Sequence, residues 1–272
     1  MAAVRVIGIL ISVGVLTACG SVWDDEEACA LSDCPTWRPT ATATAVPKDP
    51  QTGSAARLLL RWRVTGGFAG LGGPGSIPEF SLYADGRAFA PRQGAVGPIP
   101  AMAEFQLTRG ALKRLLDDAR TAGLERSRTA GPEDIADAQT LEITLGGART
   151  RIVHPESQPD DPAVHLWKRL QPFAWPAADQ EGSHHTYTPL QVAVLSSETT
   201  PSGKPVKPWP LTPLGQGEQV GGASCTVVAA PPPATADKLV PGAIWLSRGK
   251  TYSVRFRPLL PDEHACKDVA RA

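Results

Sequence analysis

The sequence predicts an α+β fold, a body of mostly antiparallel hairpin strands with two or three helices, placed after a signal peptide and a disordered tether. Three observations lead there. Leu58, Leu60, Trp62 and Val64 alternate with Arg57, Leu59, Arg61, Arg63 and Thr65 at the period of two that marks a strand with one buried face. Asp85-Gly86 and Gly146-Gly147 each separate two alternating runs, a strong local sign of a hairpin. Leu112, Leu115, Leu116 and Ala119 recur at helical spacing between those hairpins. This mixed order fits α+β better than the regular alternation of a parallel α/β sheet.

In chain order, the first strand starts at Ala56 and ends at a glycine-rich loop. Glu79 to Ala84 and Arg87 to Ala90 then form a hairpin. A type I′ turn at Asp85-Gly86, which needs positive φ at both positions, sets Leu82 opposite Phe89, so that both share a face with Phe80. Closing the next hairpin at Gly146-Gly147 pairs Leu145 with Ala148. That register puts Leu141, Ile143, Leu145 and Ile152 on one face and sets Glu142 across from Arg151 on the other. Between the hairpins Thr108 can cap a helix from Arg109 to about Ala122, with Gly123 as its stop. Asp161 and Pro162 open a second helix that Pro172 bounds. From Tyr187 onward strands are expected at Leu190–Leu195, Cys225–Ala229 and Thr251–Arg257, with a short helix around Ala234–Leu239 and proline-rich joints. The body thus reads as an N-terminal part, residues 55–175, and a β-rich part, residues 176–272, either distinct or continuous as one domain.

Ahead of the body, Arg5 precedes an uncharged run from Val6 to Trp23 that contains Leu16-Thr17-Ala18-Cys19-Gly20. A short apolar run behind a positive residue is an export signal. Its ending resembles the lipobox of bacterial lipoproteins, where a cysteine follows Leu-small-Ala. The resemblance implies removal of residues 1–18, lipidation of the Cys19 thiol with palmitate-type chains, and attachment to the extracytoplasmic face of the cell membrane. Two acyl chains are what stable anchoring requires. An uncleaved membrane helix is the alternative, at the lower limit of spanning length; three glycines and two serines in the run count against it. Residues 19–54 hold Asp24-Asp25-Glu26-Glu27, four prolines and the Thr-Ala alternation from Thr40 to Ala45, with little to bury, and read as a tether.

Lys+Arg and Asp+Glu stand at 27 each in 272 residues. A neutral chain lacks the clustered positive charge that holds phosphate backbones, so nucleic acid is not expected as a partner. The absence of asparagine excludes N-glycosylation. With Cys19 lipidated, Cys29, Cys34, Cys225 and Cys266 remain, an even set that reads as two disulfides in an oxidising compartment. Of the three pairings, Cys29 with Cys34 and Cys225 with Cys266 keeps tether and body separate. Zinc sites use four ligands, and the Cys29, Cys34 pair has no His or Cys neighbour to complete a set. No metal or other cofactor is expected.

Several motifs fail on context. Gly70-Leu71-Gly72-Gly73-Pro74-Gly75 has dinucleotide-fingerprint spacing, but Pro74, Pro78 and a strand follow where a helix must open. Ser247-Arg248-Gly249-Lys250 matches Ser-x-x-Lys, yet Arg-Gly before a strand reads as a hairpin turn. His184-His185, near Asp179 and Glu181, lacks ligand spacing, and adjacent side chains point apart. Glu133, Asp134 and Asp137 could serve hydrolysis only if the fold paired them. The tryptophans suggest a sugar-stacking platform, but Trp62 belongs to the core pattern and Trp175 and Trp209 precede prolines in connectors.

Pro78 to Arg87, Ile135-Ala136-Asp137-Ala138 and Arg257 to Glu263 are similar to segments of uncharacterised secreted lipoproteins from high-GC Gram-positive (actinobacterial) bacteria. The resemblance covers most of the mature chain, implies location and fold, and assigns no catalytic residue. From the residues themselves, Arg57, Arg61 and Arg63 share one strand face beside Gly66 to Gly75, the densest cationic feature of the body. Guanidinium groups suit carboxylate or phosphate recognition. This face is the candidate site for an anionic envelope component, and a solvated face balanced by carboxylates is the alternative. The functional expectation is a monomeric, lipid-anchored extracytoplasmic protein with a binding or envelope-structural role. The alternative is a cell-surface hydrolase whose site is not legible in the sequence.

Overall fold

The computed structural model describes residues 57–67, 71–94, 97–132, 135, 137–201 and 203–271. The expected signal peptide and tether, with Cys19, Cys29 and Cys34, lie outside the described residues. In chain order the strands are β1 (Leu58–Gly66), β2 (Phe80–Tyr83), β3 (Arg87–Pro91), β4 (Met102–Gln106), β5 (Arg128–Ala130), β6 (Gln139–Leu145), β7 (Ala148–Val153), β8 (His185–Thr186), β9 (Gln191–Glu198), β10 (Val206–Pro208), β11 (Glu218–Val220), β12 (Ala223–Ala229), β13 (Ile244–Ser247) and β14 (Lys250–Pro258). The helices are α1 (Arg109–Thr121), α2 (Pro162–Arg169), α3 (Pro233–Ala236) and α4 (Cys266–Arg271). The strands form two sheets, one of eight in the order β5-β7-β6-β1-β2-β3-β4-β8 and one of six in the order β10-β13-β14-β9-β12-β11. The pairs β5 with β7 and β10 with β13 are parallel, whereas the hairpins that dominate both sheets are antiparallel. β8 comes from beyond residue 176 yet closes the edge of the first sheet against β4, and the described residues fall into one compact unit.

Four helices replace the two or three expected. The addition is α4, whose six residues are too few to show an amphipathic period or to stand alone in water. Tertiary contacts make it. The Asp268 carboxylate accepts from the His264 and Ala265 N–H groups at 3.0 Å each, Val269 is fully buried, and Cys266 is joined to Cys225 by a disulfide. The other helices follow their capping signals. Thr108 accepts from the Ala111 N–H at the start of α1, and Gly123 ends it at φ +78°. Asp161 accepts from the Ala163 N–H at the start of α2, with Pro162 in the first turn.

The Gly146-Gly147 hairpin has the expected register, Leu145 opposite Ala148, Glu142 opposite Arg151 and Leu141 opposite Ile152. The Asp85-Gly86 hairpin does not. Leu82 lies opposite Ala88 and Ser81 opposite Phe89, one residue from the register that a two-residue turn sets. The loop holds three residues: the Gly86 N–H returns to the Tyr83 carbonyl at 3.0 Å, and Gly86 alone takes the left-handed conformation at φ +84°. That is a type I turn closed by a left-handed glycine, the usual three-residue hairpin. The Asp85 carboxylate accepts from the Arg87 backbone and from its guanidinium, which favours this turn over type I′. A shift of one residue moves a side chain to the other face, so Phe89 leaves the face of Phe80 and Leu82 and joins Ser81 and Tyr83. An added Cβ at Gly86 meets the Leu107 carbonyl at 3.0 Å and Gln106 Nε2 at 2.9 Å. Gly86→Ala is therefore expected to lower stability by about 1–2 kcal/mol, read from denaturant midpoints at unchanged slope.

Each sheet is buried on both faces. Under α1 and α2 the first sheet packs Leu60, Trp62, Phe80, Leu82, Phe105, Leu141, Ile143 and Ile152 against Ala111, Ala119, Val164 and Leu166. On its other face Tyr83, Phe89 and Met102 meet Leu260, which follows β14. The second sheet buries Val192, Val194, Trp245, Tyr252 and Phe256 on one side and Ala193, Leu195, Cys225, Leu259 and Val269 on the other. Thus the segment after β14 lies between the first sheet and α4.

Candidate functional site

β1 places Arg61 and Arg63 on the face away from Leu60 and Trp62, as the alternation requires, but an irregularity between Leu58 and Leu60 breaks the alternation at its start: Leu58 turns to Tyr83, Phe89 and Leu260, and Arg57 lines a groove with Leu112 and Leu116 of α1 on the helix-covered side. The expected open face of three arginines is not formed: Arg57 is exposed but lies on the other side of the sheet, and Arg61 and Arg63 are covered. Arg61 lies beneath the segment after β14, 11% exposed, and donates to Asp262 Oδ1 at 2.8 Å, with Glu263 Oε1 at 3.6 Å. Its Nε donates to Ser81 Oγ at 2.9 Å, and the Tyr83 hydroxyl donates to the same Asp262 oxygen. Arg63 pairs with Glu142, which also meets Arg151 on the neighbouring strand. The face is covered because the alternation on β1 sets direction only; that another segment returns over it is decided by topology.

The same cluster contains the most buried ion pair among the described residues. Arg257 donates to Glu263 through both terminal nitrogens, at 2.5 and 2.7 Å, and both side chains are at most 2% exposed. The Leu260 N–H donates to Glu263 at 2.9 Å, and Arg257 Nε donates to the Ser76 carbonyl. Burial alone would push the Glu263 carboxyl up, but the Arg257 bonds and charge, with Arg61 and the Leu260 amide, hold it below the usual carboxylate range. Burial pushes the Tyr83 hydroxyl well up, and neighbouring Asp262 adds to this. These groups hold one another across the two sheets, Arg61 and Tyr83 from the first and Arg257 from the second, so the cluster is a latch between sheets. It joins the segment Pro78 to Arg87 to the segment Arg257 to Glu263 through Tyr83 and Asp262.

The candidate site lies on the opposite face of the first sheet, where the helical cover stops. There a cleft of about 650 Å³ is lined by Trp62, Glu79, Arg92, Gln93, Gln171 and Phe173, with Ala90, Pro91, Pro172 and His184 completing the wall. β1 supplies Trp62 as floor, the residue before β2 supplies Glu79, and the chain leaving β3 supplies Arg92 and Gln93. The turn after α2, Pro172–Ala174, carries Phe173 outward; its ring is 54% exposed yet held edge-on by Phe105 at 5.2 Å. His184 lies over Phe105 at 5.0 Å and edge-on to Phe173 at 5.5 Å. Glu79 is half buried; burial pushes its carboxyl up, partly offset by the Val64 N–H that donates to it at 3.3 Å. Arg92 donates to Thr186 Oγ1 at 2.8 Å. Among these lining residues there is one carboxyl group and no hydroxyl, thiol or amine. Such a set can hold a ligand through stacking and hydrogen bonds, but it does not present the nucleophile-base pair of acyl transfer or the two carboxyls of glycoside hydrolysis.

A second groove, about 410 Å³ between α1 and α2, has charged walls already paired with one another, Arg114 with Asp179 and Arg169 with Asp118. The remaining motif residues are dispersed. Ser247 to Lys250 forms the turn between β13 and β14, with Arg248 and Gly249 both at positive φ, so no helix carries the lysine. The segment after Leu71 runs irregularly into β2. His185 lies on β8, exposed, 3.4 Å from Glu104, while His184 turns to Phe105. Glu133 and Asp134 lie outside the described residues. Trp62 is in the core, and Trp209 stacks on Phe256 and meets Trp245 edge-on. No group of three or more metal-ligating side chains occurs among the described residues.

Comparison of the chain with protein-family models, with curated proteins and with solved structures returns no match. Sequence reasoning missed Glu79, Arg92, Gln171 and Phe173. The available signal was Phe173 in a segment bounded by Pro172 and Pro176: an aromatic residue in a connector that cannot become a strand. It missed Asp262 and Glu263 as partners of Arg61 and Arg257, although two acids follow a strand that carries Arg255 and Arg257.

Proposed function

We propose that this chain is a lipid-anchored protein of the extracytoplasmic face of the cell membrane whose folded body acts by binding and not by turnover. The anchor rests on Leu16-Thr17-Ala18-Cys19 at the end of an export signal. The binding role rests on the cleft above Trp62, which combines an exposed aromatic ring with hydrogen-bonding side chains and offers a single carboxyl. The first strand carries the cleft floor, Trp62, on one face and the latch residue Arg61 on the other, so the floor is held from both sides, as a preorganised site should be. A surface hydrolase is the second reading, and the upward shift of Glu79 supports it, since burial moves this carboxyl in the direction a general acid needs. It requires a second catalytic group, for which the lining offers only His184, and the His184 ring is engaged by Phe105 and Phe173.

The anchor is tested by growing cells that express the full chain with a radioactive fatty acid. The wild-type chain is expected to take up label and stay with the membrane fraction. Cys19→Ala is expected to lose the label entirely and to remain uncleaved or leave the membrane. Label on the variant at the wild-type level would show that the lipobox reading is wrong.

A further inference from the structure

We propose that the cleft above Trp62 is a saccharide site that takes an uncharged pyranose chain of one to three units; this rests on the binding reading above. Three features of the wall point to that class. The first is Phe173, a phenyl ring more than half exposed, set in position by edge contacts to Phe105 and His184. A Phe ring carries no hydrogen-bonding group, so its outward side offers a flat apolar surface, and the C–H face of a pyranose is the flat apolar surface that fits it.

The second is the kind of polar group around it. Gln93 and Gln171 are planar amides, Arg92 a planar guanidinium and Glu79 a planar carboxyl. Each presents two hydrogen-bonding atoms at fixed separation, which matches neighbouring hydroxyls on a sugar ring. Glu79 is half buried, and one of its oxygens already accepts from the Val64 N–H, which fixes the carboxyl's orientation.

The third is charge and volume. Arg92 is the one guanidinium in the lining, already bonded to Thr186, and it shares the cleft with a carboxyl. This balance disfavours an anionic polymer. An acyl chain would leave the amides and the carboxyl desolvated without partners. The volume, about 650 Å³, falls within the range of small-ligand sites, about 300–1,000 Å³, and accommodates a short oligosaccharide.

The test is saturation-transfer NMR and titration on the full chain in a detergent without a sugar headgroup. The probes are maltotriose, cellotriose and N,N′-diacetylchitobiose, with trigalacturonate, tetradecanoate and tetra-alanine as other chemistries. At least one neutral sugar is expected to bind, with the strongest transfer to its ring C–H protons. Phe173→Ala, at an exposed position that the fold tolerates, is expected to weaken that binding about tenfold, as is Gln171→Ala, while Leu246→Ala on the second sheet leaves it unchanged. Sugar binding undiminished by Phe173→Ala overturns the assignment. Binding of trigalacturonate, tetradecanoate or tetra-alanine but of no neutral sugar overturns the saccharide and leaves the binding reading standing. Binding of no probe at all overturns both.

Discussion

Glu263→Ala is expected to lower the stability of the body by about 3–5 kcal/mol, because it leaves the Arg257 guanidinium buried and unpaired. Arg257 cannot shed its proton to escape the cost, and the Leu260 N–H loses its acceptor in the same step. The partner experiment separates the pair from its location. In Arg257→Met with Glu263→Leu, both charges leave together, and most of the lost stability should return, since a buried ion pair is worth little against apolar side chains of similar volume. The pH dependence follows from the direction of the shift. Glu263 titrates lower in the folded chain than in the unfolded one. Its contribution is therefore fully present above the unfolded carboxyl range, about pH 4.3, and is lost as pH falls through the lower folded value. Denaturant melts between neutral and acid pH should show wild-type stability falling on acidification, with a smaller fall in the double variant. A Glu263→Ala loss below about 1 kcal/mol would contradict the latch.

Removing the Cys225–Cys266 bridge has an expected cost of similar size. The bond spans a sequence separation of 41, and the chain-entropy model gives about 4 kcal/mol for a loop of that length. The loss should be local before it is global. α4 depends on Cys266, the buried Val269 and the Asp268 cap, and the Val269 carbonyl accepts from the Gly75 N–H at 3.3 Å. In the paired serine variant, hydrogen exchange should rise first over 264–271 and at Gly75. Non-reducing peptide mapping of the wild-type chain should recover Cys225 joined to Cys266; Cys225 joined to Cys29 or Cys34 would refute the assignment.

What could be read from the sequence was what short range decides. The helix caps at Thr108 and Asp161 and the Gly146-Gly147 register follow from side chains within a few residues of the element they set. The Asp85-Gly86 hairpin shows the limit of that logic. The dipeptide fits both a two-residue and a three-residue loop, and the bonds from Arg87 to Asp85 select the second. The arginine face of β1 shows a wider limit. Alternation fixed which way Arg61 points, but its covering by Asp262 and Glu263 depends on contacts about two hundred residues apart in the chain. The cleft was the least legible feature. Its walls come from four separated stretches, and Glu79, Arg92, Gln171 and Phe173 have no spacing in sequence that a motif could capture.

The most direct measurement of whether the body works by binding at this cleft is hydrogen–deuterium exchange on the full chain, with and without a soluble polysaccharide fraction from the cell envelope. Protection is expected over Ile77–Phe80, Pro91–Gln93 and Gln171–Trp175, with the latch segment Leu259–Glu263 unchanged because it lies on the other face of the first sheet. Protection confined to another surface, such as Val206–Pro208 on the second sheet, or no change at any concentration, would contradict a binding role for this site.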